Sequence, residues 1–232
     1  MAQEVKHKDS MTEIAVIMDR SGSMSSIKED MEGGLWSFVE EQKKMEGRCK
    51  MSLFHFDTVW EEVFDGRPID KVTQKDCTLQ PRGSTALNDS IVKSLHALEK
   101  RILSEDDLER PDAVIVIVIT DGKENASREN TRQDARDAAK RMAEKYQWKF
   151  LFLAADTEGF EEGASIFSGI DAAGMVYDKK DVGASSKLYS EVISSVRSGG
   201  LLSSNAVTSS TEIKVGTFVH WGGSSSIDVD KK

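Results

Sequence analysis

The sequence predicts an α/β fold: a mostly parallel sheet with helices on both faces and one antiparallel edge strand. Three observations predict it. Apolar runs of strand length alternate with longer stretches of helical period. The runs at 13–18 and 113–119 are almost continuously apolar, as strands covered on both faces must be. And 232 residues, 38% hydrophobic and 31% charged with only 3 prolines, supply one sizeable core and exclude a rod or a wholly disordered chain.

Taken in order, residues 13–18 form the first strand and end at Asp19. A helix over 27–46 follows, since Ile27, Met31, Leu35, Phe38, Val39 and Met45 recur on one face and Gly47 suits a C-terminal cap. Residues 50–56 and 58–64 alternate and read as a hairpin turning near Asp57-Thr58, which supplies the antiparallel edge. Thr85 is placed to cap a helix bearing Leu87, Ile91, Leu95 and Leu98. Residues 112–121 are the clearest strand, buried and central, and they end at Asp121. An exposed helix over 131–147 has interleaved charges that suggest pairing four residues apart along it. A strand over 149–156, a helix over 161–168, a strand over 174–177 and a helix over 185–197 complete the alternation.

The organisation is therefore an N-terminal extension over 1–10, a domain over 11–197 and a Gly/Ser-rich tail over 198–232 with one strand-like stretch at 212–221. The tail's charges cancel, so the formal net charge of −9 belongs to the preceding residues. That charge repels phosphate backbones and anionic lipid, which argues against nucleic acid or a membrane as partner. The N-terminal residues lack an apolar leader core, and the longest apolar run falls far short of the ~20 residues that span a bilayer. Two cysteines, Cys49 and Cys77, read as free thiols of a reducing compartment.

Two buried strands end in an acid, and in open parallel sheets the functional crevice lies at the carboxyl ends of the strands. Asp19 and Asp121 would face one such crevice. Asp19-Arg20-Ser21-Gly22-Ser23 adds two hydroxyls at alternating loop positions, and Thr85 of Arg82-Gly83-Ser84-Thr85 adds a third. Two acids and three alcohols are an all-oxygen donor set, suited to Mg²⁺ or Mn²⁺ and not to zinc. Taken alone, the Ser-rich loop reads first as a helix N-cap, and it is the company of Thr85, Asp121 and the strand ends that favours a metal site.

These residues resemble the complete metal-ion-dependent adhesion site of von Willebrand factor type A domains. The carriers are Asp19-Arg20-Ser21-Gly22-Ser23, Thr85 in Gly83-Ser84-Thr85-Ala86-Leu87, and Asp121 in Ile119-Thr120-Asp121-Gly122, with the resemblance covering about 11–197. The closest likeness is to the compact intracellular bacterial and phage type. The resemblance implies a Rossmann-like, doubly wound sheet in which Ser21, Ser23 and Thr85 hold Mg²⁺ or Mn²⁺ directly, with Asp19 and Asp121 acting directly or through water. It also implies a protein partner that supplies an Asp or Glu carboxylate to the ion. The expected location is the cytoplasm, or the virion if the protein is phage-encoded. Arg20 stands where the motif is open, and Asn125 and Ser127 look like a subfamily embellishment.

The function expected is a metal-dependent protein-interaction module. One alternative is a structural or assembly protein that uses the domain as a scaffold. The other is a Mg²⁺-dependent hydrolase or phosphotransferase, against which the chain lacks a phosphate-binding Gly-x-x-x-x-Gly-Lys loop and a Gly-x-Ser-x-Gly elbow. No catalytic residue is expected. In the tail, Asp228 and Asp230 suggest self-association by occupying the ion's open position, and Trp221 suggests either docking on a partner or packing on its own domain.

Overall fold

The structure, a computed structural model, describes residues 10–200, 202, 216 and 218–222. Seven described strands form one sheet: β1 (Met11–Asp19), β2 (Arg48–Phe56), β3 (Trp60–Pro68), β4 (Ala113–Thr120), β5 (Lys149–Ala154), β6 (Ala172–Val176) and β7 (Phe218–His220). Their order across the sheet is β3-β2-β1-β4-β5-β6-β7. The five inner strands are parallel, β3 is the antiparallel edge beside β2, and β7 closes the other edge antiparallel to β6. The expected fold class is the observed one, with two antiparallel edge strands where one was expected.

Among the described residues five α-helices cover the sheet: α1 (Lys28–Lys43), α2 (Leu87–Ser104), α3 (Arg132–Tyr146), α4 (Thr157–Phe167) and α5 (Val182–Arg197). The alternation of each strand divides the core in two. In β4, Ile115, Ile117 and Ile119 face α1 and α5, whereas Val114, Val116 and Val118 face α2, α3 and α4. Each such fully buried side chain is worth about 1.5–3 kcal/mol, which is why a run with no polar position settles at the centre of the sheet. The chain leaves β1 for β2 through α1 on one face and enters β4 through α2 on the other, so the winding reverses between β1 and β4. That reversal opens a crevice at the strands' carboxyl ends.

Several local expectations need correction. The first helix does not run from 27 to 46. Residues Gly22–Ile27 form a 3₁₀ segment, and α1 ends at Lys43, leaving Gly47 as a turn residue with φ +89° before β2. Thr85 does not cap α2: Ala86 occupies that position, and the first amides of the helix are capped from a distant loop. The cations of α3 mostly reach across to neighbouring helices, Arg132 to Glu162 and Arg141 to Glu99, with only Lys140 and Glu144 pairing along the helix. Packing brings acids on α2 and α4 within reach of α3, and a shorter crossing beats a pair held along one exposed face.

Of the stretch 212–221, Gly216 and residues 218–221 are described; residues 212–215 and 217 lie outside the described residues, as do Asp228 and Asp230. Trp221 packs on its own domain, against Phe152, Phe160 and Phe167, with its ring parallel to that of Phe167. Cys49 and Cys77 are buried and free, and burial pushes both thiols up to about 12, which disfavours the thiolate. No helix among the described residues is long and apolar enough to cross a membrane.

Candidate functional site

Asp19 is the last residue of β1, and Asp121 directly follows β4, its parallel neighbour. Both carboxylates therefore reach the same pole of the sheet. Each is nearly inaccessible, Asp19 at 0% and Asp121 at 4% exposure. The loop after β1 curls back on its own aspartate: the Ser21 amide donates to Asp19 Oδ1 at 2.6 Å. The Thr120 hydroxyl donates to the other oxygen at 2.7 Å. From there a chain of oxygens crosses the crevice. Ser21 Oγ lies 3.1 Å from Ser23 Oγ, and Ser23 Oγ donates to Asp121 Oδ1 at 2.6 Å. Ser21 is buried and Ser23 is exposed, so the set opens to solvent at Ser23.

Thr85 arrives on a second loop zipped to the first. The Arg82 amide donates to Arg20 O at 2.9 Å and the Gly22 amide to Gly83 O at 3.2 Å. Gly83 permits this approach: its φ is +64°, and a Cβ there would stand 2.8 Å from Thr58 Oγ1. Thr85 is 3% exposed, and its Oγ1 would lie 3.8 Å from a Cβ built on Gly122, which places the hydroxyl beside the residue after Asp121. Among the described residues that hydroxyl makes no hydrogen bond, which leaves its lone pairs available. Four of the five expected residues are joined by hydrogen bonds, and the fifth flanks them.

The electrostatics favour a cation. Burial raises Asp19 from its ordinary value to about 6, against the hydrogen bonds from Thr120 and Ser21 that favour its charged form. No cationic side chain contacts Asp19 among the described residues. Tyr177, 3% exposed, has a hydroxyl without a hydrogen-bond partner there, and burial, followed by the charges of Asp121, Asp19 and Asp156, raises its pKa well above the usual value. No group of three or more His, Cys, Asp or Glu side chains suited to a metal forms among the described residues. The set that converges is two carboxylates and alcohol oxygens, a donor chemistry that fits Mg²⁺ or Mn²⁺.

Several residues of this pole have partners that the sequence did not show. Arg20, noted only as an open motif position, is buried and binds Asp57 at 2.8 Å and Glu61 at 2.6 Å. Asp57 is a turn residue, as its position suggested, but it also accepts from Arg82 at 2.9 Å. Burial opposes ionisation of Asp57, yet the bonds from Arg82, Val59 and Arg20 prevail and hold its carboxyl below the usual range. Asp156, expected as the last residue of a strand, instead caps α4 by accepting from the Gly159 amide. Glu124 and Asp89 tie the loop after β4 to the start of α2: Glu124 accepts from the Asn88, Ala126 and Ser127 amides, and Asp89 from those of Arg128, Glu129 and Asn130. Lys179, from the loop before α5, contacts Asp121 at 3.2 Å. A spacing pattern along one loop contains none of these partners.

No protein-family model matches the chain, and no curated protein matches it in sequence. Solved structures do match in fold. Proximal thread matrix protein 1 from the mussel byssus superposes with a TM-score of 0.58 at 13% identity over 80% of this chain and 47% of that one. A von Willebrand factor type A protein from Catenulispora acidiphila gives 0.56 at 14% over 78% and 42%. The von Willebrand factor domain of the type V pili tip protein Mfa5 from Porphyromonas gingivalis gives 0.55 at 11% over 80% and 95%. The chain thus spans less than half the length of the first two, and nearly all of the isolated Mfa5 domain. It has the von Willebrand factor type A fold.

Proposed function

We propose that this chain is a metal-dependent protein-interaction module in which Ser21, Ser23 and Thr85 hold Mg²⁺ or Mn²⁺ directly while Asp19 and Asp121 act directly or through water. The observation that carries the reading is the hydrogen-bonded run from Asp19, through the Ser21 amide and the Ser21 and Ser23 hydroxyls, to Asp121, set at the winding reversal and open to solvent at Ser23. Once bound, the ion would supply a strong electrostatic attraction for an external carboxylate, because two acids and neutral hydroxyls leave it electron-poor. The partner is accordingly a protein presenting an Asp or Glu. That the fold recurs in a pili tip protein and a thread matrix protein supports a role in binding over one in catalysis.

The module takes in residues 11–197, with 1–10 as an extension and 198–232 as a tail that contributes β7. Two free, buried thiols support a reducing location such as the cytoplasm, with a phage particle as the alternative. Self-association through Asp228 and Asp230 is a further element of this reading, tested by the oligomeric state of the Asp228→Ala, Asp230→Ala double variant.

The deciding experiment is calorimetric titration of Mg²⁺ and Mn²⁺ into chelator-stripped protein, beside Asp19→Ala and Asp121→Ala. Saturable binding in the parent that is lost in both variants is expected. A parent that binds neither ion, or a partner captured equally well in EDTA, overturns the reading.

A further inference from the structure

The loop from β6 to α5 places a fixed positive charge against the candidate metal site. Lys179 Nζ lies 3.2 Å from Asp121 Oδ2, and the two side chains are 38% and 0% exposed. Asp121 is thereby bound on both oxygens, by Ser23 on Oδ1 and by Lys179 on Oδ2. The backbone that presents the lysine is pinned on either side. The Tyr177 amide donates to Ala154 O at 2.7 Å, the Asp178 amide to Ser185 Oγ at 3.2 Å, the Lys180 amide to Asp178 Oδ1 at 2.8 Å and the Asp181 amide to Asp178 O at 3.1 Å. Only the four-carbon stem of Lys179 is left free to swing.

An ammonium has three donors and no lone pair, so it can neutralise Asp121 but cannot join a metal's ligand shell. Two cations sharing one buried carboxylate repel each other strongly where water is scarce. We propose that Lys179 is a tethered competitor for the divalent ion, which displaces its ammonium from Asp121 on binding, so that this one side chain sets the cation affinity of the site. The inference rests on the metal-site reading above and adds to it the residue that opposes loading. Because the lysine is covalently held, its local concentration is high and independent of salt, and a dilute divalent ion must outcompete it every time.

The test uses the full-length chain stripped with chelator, titrated with Mn²⁺ as parent, Lys179→Met and Lys179→Arg. Lys179→Met is expected to bind Mn²⁺ about tenfold more tightly, and Lys179→Arg, which keeps the charge, to stay near the parent. In EDTA the thermal midpoint of Lys179→Met should fall below the parent's, since Asp121 has lost its counter-charge, and saturating Mn²⁺ should close that gap. Equal or weaker Mn²⁺ binding by Lys179→Met, with measurable binding by the parent, overturns this inference and leaves the metal site standing. No binding by any of the three overturns both.

Discussion

Asn125 grips the backbone of Thr85 from both sides. Its side-chain Oδ1 accepts from the Thr85 amide at 2.9 Å, and its own amide donates to Thr85 O at 3.0 Å. The two residues are 40 apart in the chain, and the pairing fixes the Thr85 backbone just before α2, with its hydroxyl beside Gly122.

Asn125→Ala removes the side-chain half of that grip. The expected result is a loss of about 10–100-fold in Mn²⁺ affinity, as for other residues that orient a ligand. The backbone amide of Thr85 also loses its acceptor, which costs about 1–3 kcal/mol of stability. Asn125→Asp keeps an acceptor at the same place and should restore most of both. Calorimetry and urea unfolding on the two variants check this, and an Asn125→Ala protein with parental Mn²⁺ affinity would remove Asn125 from the site.

Gly174, in β6, has no room for a side chain: a Cβ there would overlap the ring of Trp221 and stand 2.8 Å from Phe160. Gly174→Ala should push Trp221 off its aromatic seat and release β7, with a loss of about 1–3 kcal/mol. Tryptophan emission would shift to the red, and thermal unfolding would report the destabilisation. Unshifted emission would mean that Trp221 finds another buried seat.

Glu13 is fully buried in β1 and is compensated by Arg101 of α2 at 2.8 Å and by the Ser52 hydroxyl at 2.6 Å. Burial raises its pKa, and only the Arg101 charge and those hydrogen bonds oppose the rise. Arg101 also binds Asp65 and Glu105, so it anchors a half-buried cluster at the end of the sheet away from the crevice. Arg101→Met should cost about 3–5 kcal/mol by stranding the carboxylate. Adding Glu13→Gln should return part of that loss, measured by denaturant midpoints of the single and double variants.

His55 is 4% exposed, and burial, followed by the charge of Arg20, lowers its pKa from 6.5 to about 4. Below pH 6.5 the unfolded chain takes up a proton that the folded chain refuses until about pH 4. The histidine's contribution to stability is therefore complete above pH 6.5 and is lost as pH falls toward 4, by at most about 3 kcal/mol. His55→Gln should flatten that part of the stability profile. Urea midpoints at pH 5 and 7 for parent and variant isolate the histidine from the carboxylates, whose own titrations both proteins share.

The strand and helix order was legible because burial writes itself into periodicity. Val114 through Ile119 are apolar at every position, so β4 had to be covered on both faces, and Asp19 and Asp121 were readable as strand ends in one crevice. Helix boundaries were less legible. The 3₁₀ turn at Gly22–Ile27 and the capping of α2 from Glu124 and Ser127 depend on hydrogen bonds made across the chain.

By itself the sequence determined the alternation, the central acids and the oxygen donors lying within one loop, since each is a matter of residue type at local spacing. Only the tertiary structure decided that Lys179 stands against Asp121 from 58 residues away, that Asn125 holds Thr85, and that Arg101 neutralises Glu13. A charge or an amide does not carry its partner's position in its own neighbourhood. That partner is chosen when the winding of the sheet brings distant loops to one pole, where a buried polar group is left costly until something answers it.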